Sequence, residues 1–182
     1  MAGSEERKQA FRRLYEATYS RLASYARRRL PSGEADDALA EVYLVAWRRF
    51  EDIPPGDEAL LWLYGVARRV ISQDRRSERR RGRLKAKLSA VEPSRPAGAT
   101  DTERADDRLA VLSALATLRE HDRELLRLSQ WEDLDHEELA RVFECSTNAI
   151  AIRLHRAHRR FGEALRRSEQ EAGGPLWGES SR

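Results

Sequence analysis

The 182-residue sequence has little that would support a disulfide framework, a membrane anchor or a large sheet. Its single cysteine, Cys145, excludes an internal disulfide and fits a reducing compartment. The longest apolar run, residues 59–64, is far shorter than the roughly 20 residues of a membrane-spanning helix, and the first residues are too charged for a signal peptide. Aromatic residues make up only 7% and charged residues 36%. This composition favours small helical bundles in a cytoplasmic protein without membrane insertion.

The net charge of +3 conceals two basic regions on either side of an acidic one. Residues 1–90 contain 20 Lys and Arg against 13 Asp and Glu, residues 91–145 contain 7 against 14, and residues 146–167 contain 6 against 1. Two separated basic surfaces favour two distinct contacts on one polyanion over uniform coating of it.

Apolar residues recur at helical spacing and no stretch alternates convincingly at period two, which predicts an all-α fold of two small bundles. Residues 1–88 are expected to form a bundle whose second helix opens at Asp36 or Asp37. Residues 89–105, which contain Pro, Gly, Ser and Thr without a hydrophobic period, are predicted to be a flexible linker. Residues 106–167 are expected to form the second bundle, and residues 168–182 a disordered tail.

The second bundle ends in a predicted helix-turn-helix, where residues 134–161 read LDHEELARVFECSTNAIAIRLHRAHRRF. Asp135 and Glu138 have the spacing of a capping box for the first helix, and Ser146 is placed to cap the second. The inward face of the second helix is formed by residues at spacings of four, three and four, namely Ile150, Leu154, Ala157 and Phe161.

The opposite face of this second helix is rich in cations. It has the polar and apolar tips that read base edges as well as the charges that contact phosphates. The alternative is an ordinary solvated basic helix, which a tight turn behind a capped partner helix makes less favourable. The residues of the predicted DNA-reading face are Asn148, Ala151, Ile152, Arg153, His155, Arg156, Arg159 and Arg160.

The third helix of the first bundle also has a polar face, which could track a nucleic-acid backbone or simply be solvated. Its residues are Arg68, Arg69, Ser72, Gln73, Arg75, Arg76 and Arg79. Elsewhere, His155 and His158 stand three apart but lack nearby Cys or carboxylate ligands for a metal. Because there is no catalytic constellation and no Gly-rich phosphate loop, we expect no enzyme activity, no cofactor and no metal site.

The first bundle contains the motifs that separate the classes of DNA-binding protein. Residues 34–50 read EADDALAEVYLVAWRRF and residues 62–68 read WLYGVAR. Together they closely resemble region two of bacterial extracytoplasmic-function (ECF) sigma factors, and residues 109–165 resemble region four of the same family. The resemblance covers most of the chain apart from the linker and the tail.

The resemblance implies an alternative sigma factor that binds core RNA polymerase and directs promoter-specific initiation. By analogy, the second helix would dock on the polymerase β′ clamp helices through Asp36, Asp37, Glu41, Trp47 and Arg48. The following loop, within residues 51–59, would hold a flipped promoter base, and the third helix would contact the melted minus-ten element.

Region four would read the minus-thirty-five element and touch the polymerase β flap. An anti-sigma factor would be a further partner, and the protein would associate with the nucleoid through polymerase. Two other functions stay open at this point: a stand-alone helix-turn-helix transcriptional regulator, and a basic helical adaptor.

Overall fold

The chain divides into two compact units, built mainly from helices α1–α3 and from helices α4–α7. The computed structural model describes the backbone of residues 2–86 and 102–172 and the side chains of residues 4–73 and 110–168. Every regular element within those ranges is helical, which confirms the predicted all-α fold.

The first unit consists of α1 (Ala2–Arg27), α2 (Ser32–Arg48) and α3 (Glu58–Ala86), with a short 3-10 helix at Phe50–Asp52. Each helix contributes to one core, because Leu22 and Tyr25 of α1, Val42 of α2 and Leu63 of α3 are fully buried. Burying such a side chain stabilises a fold by roughly 1.5–3 kcal/mol. This shared core fixes the exposed faces of α2 and α3.

A polar contact joins α1 to α2 inside this core. The Thr18 hydroxyl donates to the Leu14 carbonyl oxygen at 2.7 Å, so at the 3.0 Å contact between Thr18 and Tyr43 the tyrosine hydroxyl is the donor. Burial raises the pKa of Tyr43 to about 12, since its ionised form would lose hydration. Tyr43 therefore stays a neutral donor at physiological pH.

Helix α2 begins earlier than the sequence predicts. It starts at Ser32, and the Ala35 amide donates to the Pro31 carbonyl oxygen at 2.8 Å. Pro31 and Gly33 suggested a break, but proline is tolerated at a helix start and glycine costs less there than in the interior. Asp36 and Asp37 consequently lie in the second turn of α2 rather than at its first residue.

The second unit consists of α4 (Thr102–Thr117), α5 (Glu120–Trp131), α6 (His136–Phe143) and α7 (Thr147–Ala172). Its core includes Leu125 and Leu128 of α5, Leu139 of α6 and Ile150 of α7, all fully buried. Between α5 and α6 the chain turns at Asp133, whose φ of 56° lies in the left-handed region that Asp tolerates better than most residues.

Two helix ends extend past the segment boundaries expected from sequence. Helix α4 begins at Thr102, inside the predicted linker, and α7 runs to Ala172, inside the predicted tail. The residues between Ser168 and Gly173 are good helix formers, so α7 continues to Ala172. Residues 87–101 and 173–182 lie outside the described part of the chain, and the linker and the tail remain predictions.

Candidate nucleic-acid interface

Helix α6 starts at a capping box. The Asp135 amide donates to a Glu138 carboxylate oxygen at 2.9 Å, and the Glu138 amide donates to the Asp135 carboxylate at 2.8 Å. These reciprocal bonds satisfy two amides at the helix start. The sequence prediction for this helix is confirmed.

A short turn separates α6 from α7. The Cys145 amide donates to the Ala140 carbonyl oxygen at 3.0 Å, which closes the end of α6. Ser146 then caps α7, because its hydroxyl oxygen accepts from the Ala149 amide at 3.2 Å. Two side-chain caps and one tight turn therefore fix the direction of α7 relative to α6.

Helix α7 buries the face that the sequence predicts. Ile150, Leu154 and Ala157 are buried, whereas Phe161 is only half-buried. At about 100° per residue, the opposite side presents a line of side chains at spacings of three and four. We call it the outer stripe, and its residues are Asn148, Ala151, Ile152, His155 and Arg159.

Most predicted DNA-reading side chains lie on or beside the outer stripe. Asn148, Ile152, His155 and Arg159 are exposed, and Ala151 is half-buried. Ile152 is 45% exposed, a large apolar side chain in water at the centre of the stripe.

The three other predicted DNA-reading residues of α7 flank the stripe. Arg156 is exposed at its edge, whereas Arg153 and Arg160 lie more than 100° from its centre, by the helical repeat. Arg153 donates to the Cys145 sulfur at 3.4 Å.

Arg160 is paired with a carboxylate of the same unit, although its side chain is 40% exposed. Its Nη1 donates to the Asp122 carboxylate at 2.6 Å, and the Asp122 side chain is only 9% exposed. Asp122 lies in the first turn of α5, so this ion pair joins α5 to α7. The sequence grouped Arg160 with the other cations because a helical repeat does not show which neighbouring helix holds a carboxylate.

In the first unit, the exposed face of α2 carries most of the residues that the resemblance to ECF sigma factors assigned to polymerase binding. Asp36, Asp37, Glu41 and Arg48 are exposed. Leu44 lies between Glu41 and Arg48 and is 41% exposed, although the sequence prediction did not include it. Its spacing of seven from Asp37 was the signal that could have placed it on the same face.

Trp47 occupies a different position from the other α2 candidates. Its ring packs edge-on against Phe11 at 5.1 Å between centroids, and the Arg7 guanidinium lies 4.7 Å from its centroid. Arg7 also donates to the Trp47 carbonyl oxygen at 2.6 Å. Trp47 is half-buried and thus helps to attach α1 to α2.

The loop after α2 borders a cavity of about 550 Å³. Pro54 and Pro55 stiffen one wall, and Gly56 adopts a φ of 66° that other residues rarely accept. The opposite wall is α1, which contributes Arg13 and Arg21. Sequence reasoning looked for the cations of this loop on α3 and missed the two arginines of α1, which only the packing of α1 brings to the loop.

Helix α3 carries its polar face beside α2. Arg69 and Gln73 are exposed, and Arg68 and Ser72 are half-buried. A groove of about 510 Å³ between the two helices has Asp37 and Glu41 on one wall and Arg69 and Gln73 on the other. The side chains of Arg75, Arg76 and Arg79 lie outside the described residues, although their backbone belongs to α3.

The described side chains include no group of three or more His, Cys, Asp or Glu that could hold a metal ion. Within the same ranges no helix is long and apolar enough to cross a membrane. What the two units do present is a basic helix-turn-helix, an acidic helix face and a cavity bordered by arginines.

Comparison with known proteins identifies both units. The family profile of sigma-70 region 2 matches residues 14–81, and that of sigma-70 region 4 matches residues 108–161. The ECF RNA polymerase sigma factor SigL of Mycobacterium tuberculosis is 31% identical over 166 residues, which cover 89% of this chain and 90% of SigL. The chain belongs to the ECF RNA polymerase sigma factor family.

Further relatives agree with this membership. SigK, an ECF sigma factor of Mycolicibacterium vanbaalenii, is 26% identical over 161 residues, covering 86% of this chain and 82% of SigK. The sigma factor also shares its fold with RpoE of Bartonella quintana, solved with the anti-sigma factor NepR (21% identity, TM-score 0.59, 87% and 98% covered). CnrH, solved with the cytosolic domain of CnrY, is similar too. It is 21% identical, with a TM-score of 0.61, and the match covers 87% of this chain and 89% of CnrH.

The chain is therefore an alternative sigma factor, a transcription initiation factor, and the stand-alone regulator and the adaptor are set aside.

Proposed function

We propose that the second unit reads the minus-thirty-five element through the outer stripe of α7, while the first unit binds core RNA polymerase and the minus-ten element. The observation that carries the DNA-reading role of the second unit is the separation between the buried face and the exposed face of α7. Ile150, Leu154 and Ala157 are buried in the core, and the stripe faces solvent. A capped helix with this arrangement fits a DNA major groove.

Run-off transcription with purified core polymerase tests the whole proposal. We expect promoter-specific initiation only when core and the sigma factor are both present, and little tight promoter binding by the free factor. Tight operator binding by the free protein without core-dependent transcription would contradict it. We further propose that the chain catalyses no reaction itself and acts by binding.

The phosphate contacts of α7 can be separated from its base contacts. Replacing Arg156 or Arg159 with Ala should weaken holoenzyme binding at all promoters alike and lower the slope of log K against log salt by about 1. Arg167→Ala is the matched control, because Arg167 is exposed on the same helix about two turns beyond Arg159. If Arg167→Ala lowers the affinity for promoter DNA equally, the effect comes from net charge and not from a specific phosphate contact.

Ile152 is the residue best placed to read a base. An apolar side chain that is 45% exposed among cations can contact a thymine methyl group in the major groove. Ile152→Ser should change preference at one base pair of the upstream element by roughly 1 kcal/mol. Initiation from a library of upstream elements measures this preference, and an unchanged profile would remove Ile152 from the reading set.

The exposed face of α2 is our proposed contact with the β′ clamp helices. Leu44 supplies an apolar centre and Asp37 and Glu41 supply charges around it, which matches the apolar core and polar rim of protein interfaces. Reversing charge at Asp37 and Glu41 should weaken core association in a pull-down. Glu16→Lys is the control, since Glu16 is exposed on α1. Equal weakening by this control would argue against a specific α2 contact.

The cavity beside residues 50–57 is our proposed pocket for an unpaired minus-ten base. Its volume of about 550 Å³ suits a small ligand, and Arg13 and Arg21 can neutralise the adjoining phosphates. Arg13→Ala should weaken holoenzyme binding to single-stranded minus-ten DNA. Arg12→Ala removes the same charge from an exposed neighbour outside the cavity. Similar losses for the two variants would exclude the pocket.

The partners of this sigma factor would include an anti-sigma factor, as RpoE has in its solved complex. The β flap of polymerase is the proposed contact of the second unit in the initiation complex. Under this proposal the protein works at the nucleoid, where polymerase and promoter DNA meet. Cross-linking of the holoenzyme followed by peptide mapping identifies these contacts directly.

A further inference from the structure

The second unit has an apolar groove on the side of α7 away from the outer stripe. It has a volume of about 280 Å³ and is bordered by Val111 and Leu115 of α4, Leu126 and Trp131 of α5, and Phe161 of α7. Leu115 and Leu126 form a buried floor, whereas Val111 and Trp131 at the rim are 38% and 39% exposed. We call this site the α4–α7 groove.

The groove is lined mainly by apolar side chains. Its volume corresponds to roughly nine water molecules at about 30 Å³ each, and its floor offers them few hydrogen-bond partners. The polar atoms at the rim belong to Arg127, Gln130 and His158. The Arg127 guanidinium lies 5.2 Å from the centroid of the Trp131 ring, so one rim is cationic. A bulky apolar side chain followed by an acidic residue fits this arrangement.

The residues that follow α7 contain such a pair. Residues 173–179 read GGPLWGE, in which Leu176 and Trp177 are the bulky apolar side chains and Glu179 is the acid. Gly173 directly follows the last residue of α7, where a glycine commonly reverses the chain direction, and Pro175 prevents the helix from continuing. The sequence therefore favours a chain that turns back along α7.

The distances allow the turned segment to return to the groove. From Phe161 to Ala172 the helix rises about 16 Å, at 1.5 Å per residue. The five residues from Ala172 to Trp177 span at most about 17 Å. Trp177 thus reaches about the level of Phe161 when residues 173–177 run almost fully extended beside α7, and its indole extends the reach into the groove.

We propose that the segment Leu176–Trp177 of this same chain docks into the α4–α7 groove, with Trp177 against Trp131 and Phe161 and with Glu179 beside Arg127. The short connection supports an intramolecular contact, because a tether of a few residues gives an effective concentration in the millimolar range. Docking removes the exposed faces of Val111 and Trp131 from water. It also makes the groove inaccessible to any other apolar segment until the tail is displaced.

Disulfide trapping in the full-length protein tests the contact. In a Cys145→Ser background, Val111→Cys with Leu176→Cys should form an intramolecular disulfide at least about tenfold faster than Glu163→Cys with Leu176→Cys. Glu163 is a matched control because it lies within similar reach along α7 but about 200° around the helix from Phe161. Equal rates for the two pairs, or disulfides formed between two copies of the chain, overturn the proposal.

A second measurement needs no new cysteine. Indole N–H resonances report each tryptophan separately, and Trp131→Phe assigns the Trp131 signal. Trp177→Ala should move the Trp131 resonance and leave those of Trp47 and Trp62, which belong to the first unit, in place. A Trp131 resonance that does not move when Trp177 is replaced overturns the docking even if the disulfide forms.

Discussion

Replacing Arg160 with Ala tests whether this residue holds the second unit together or binds DNA. The substitution leaves the Asp122 carboxylate, 9% exposed, without the guanidinium that lies 2.6 Å away. Stranding one member of a fully buried pair costs about 3–5 kcal/mol. Here the Arg160 side chain is 40% exposed and Asp122 lies in the first turn of α5, where the helix dipole favours an anion. Both facts lower the expected cost to about 2 kcal/mol.

Hydrogen exchange of the full-length protein measures this cost locally. A loss of about 2 kcal/mol should raise exchange of the slowest amides of α5 and α7 roughly 30-fold, with α1–α3 as an internal control. Arg156→Ala should leave the exchange unchanged, because Arg156 is exposed. In promoter binding the two variants should behave in the opposite way. Arg156→Ala should lower the slope of log K against log salt, and Arg160→Ala should leave it unchanged. Less than a threefold rise in exchange for Arg160→Ala, together with a lower salt slope, would refute the structural role and return Arg160 to the DNA-binding set.

Three further predictions concern the fold. Asp135→Ala removes the acceptor of the α6 capping box and should destabilise the second unit by about 1 kcal/mol, measured by the same exchange experiment. Asp133→Val should destabilise the α5–α6 turn by about 1–2 kcal/mol, because a β-branched residue tolerates a φ of 56° poorly, whereas Asp133→Gly should not. Tyr43 binds its proton more tightly when folded (pKa about 12) than when unfolded (about 10), so its contribution is complete below pH 10 and is lost as pH rises towards 12. Between pH 9 and pH 11 the free energy of unfolding, measured with urea, should fall by about 1.4 kcal/mol more for the wild type than for Tyr43→Phe. An equal fall in the two proteins would contradict the argument that burial raises the pKa of Tyr43.

The capped helices of the second unit were predictable because their signals are local. Asp135, Glu138 and Ser146 act on amides only three residues away, so sequence spacing alone specifies their bonds. The buried residues of α7 followed from the helical repeat in the same way.

Positions that depend on packing between helices were not predictable. Arg160 finds Asp122 on another helix, and Arg13 and Arg21 reach the loop after α2 only because α1 packs beside it. Tyr15 lies seven residues before the buried Leu22, a spacing that places both on one face of α1, yet Tyr15 is 39% exposed although it contacts the Tyr43 ring of α2. In each case the sequence shows the residue type but not which helix packs against that residue.

The two faces of α7 also divide the constraints on how this sequence can change. Buried positions such as Ile150 and Ala157 must keep their size, because a core tolerates few changes of volume. Positions on the outer stripe have no such restriction, so mutations there can rewrite promoter preference at almost no expense to folding. Under the proposed function, duplicated copies of this gene could therefore acquire separate regulons through a few substitutions in one helix, while the scaffold that presents the helix stays the same.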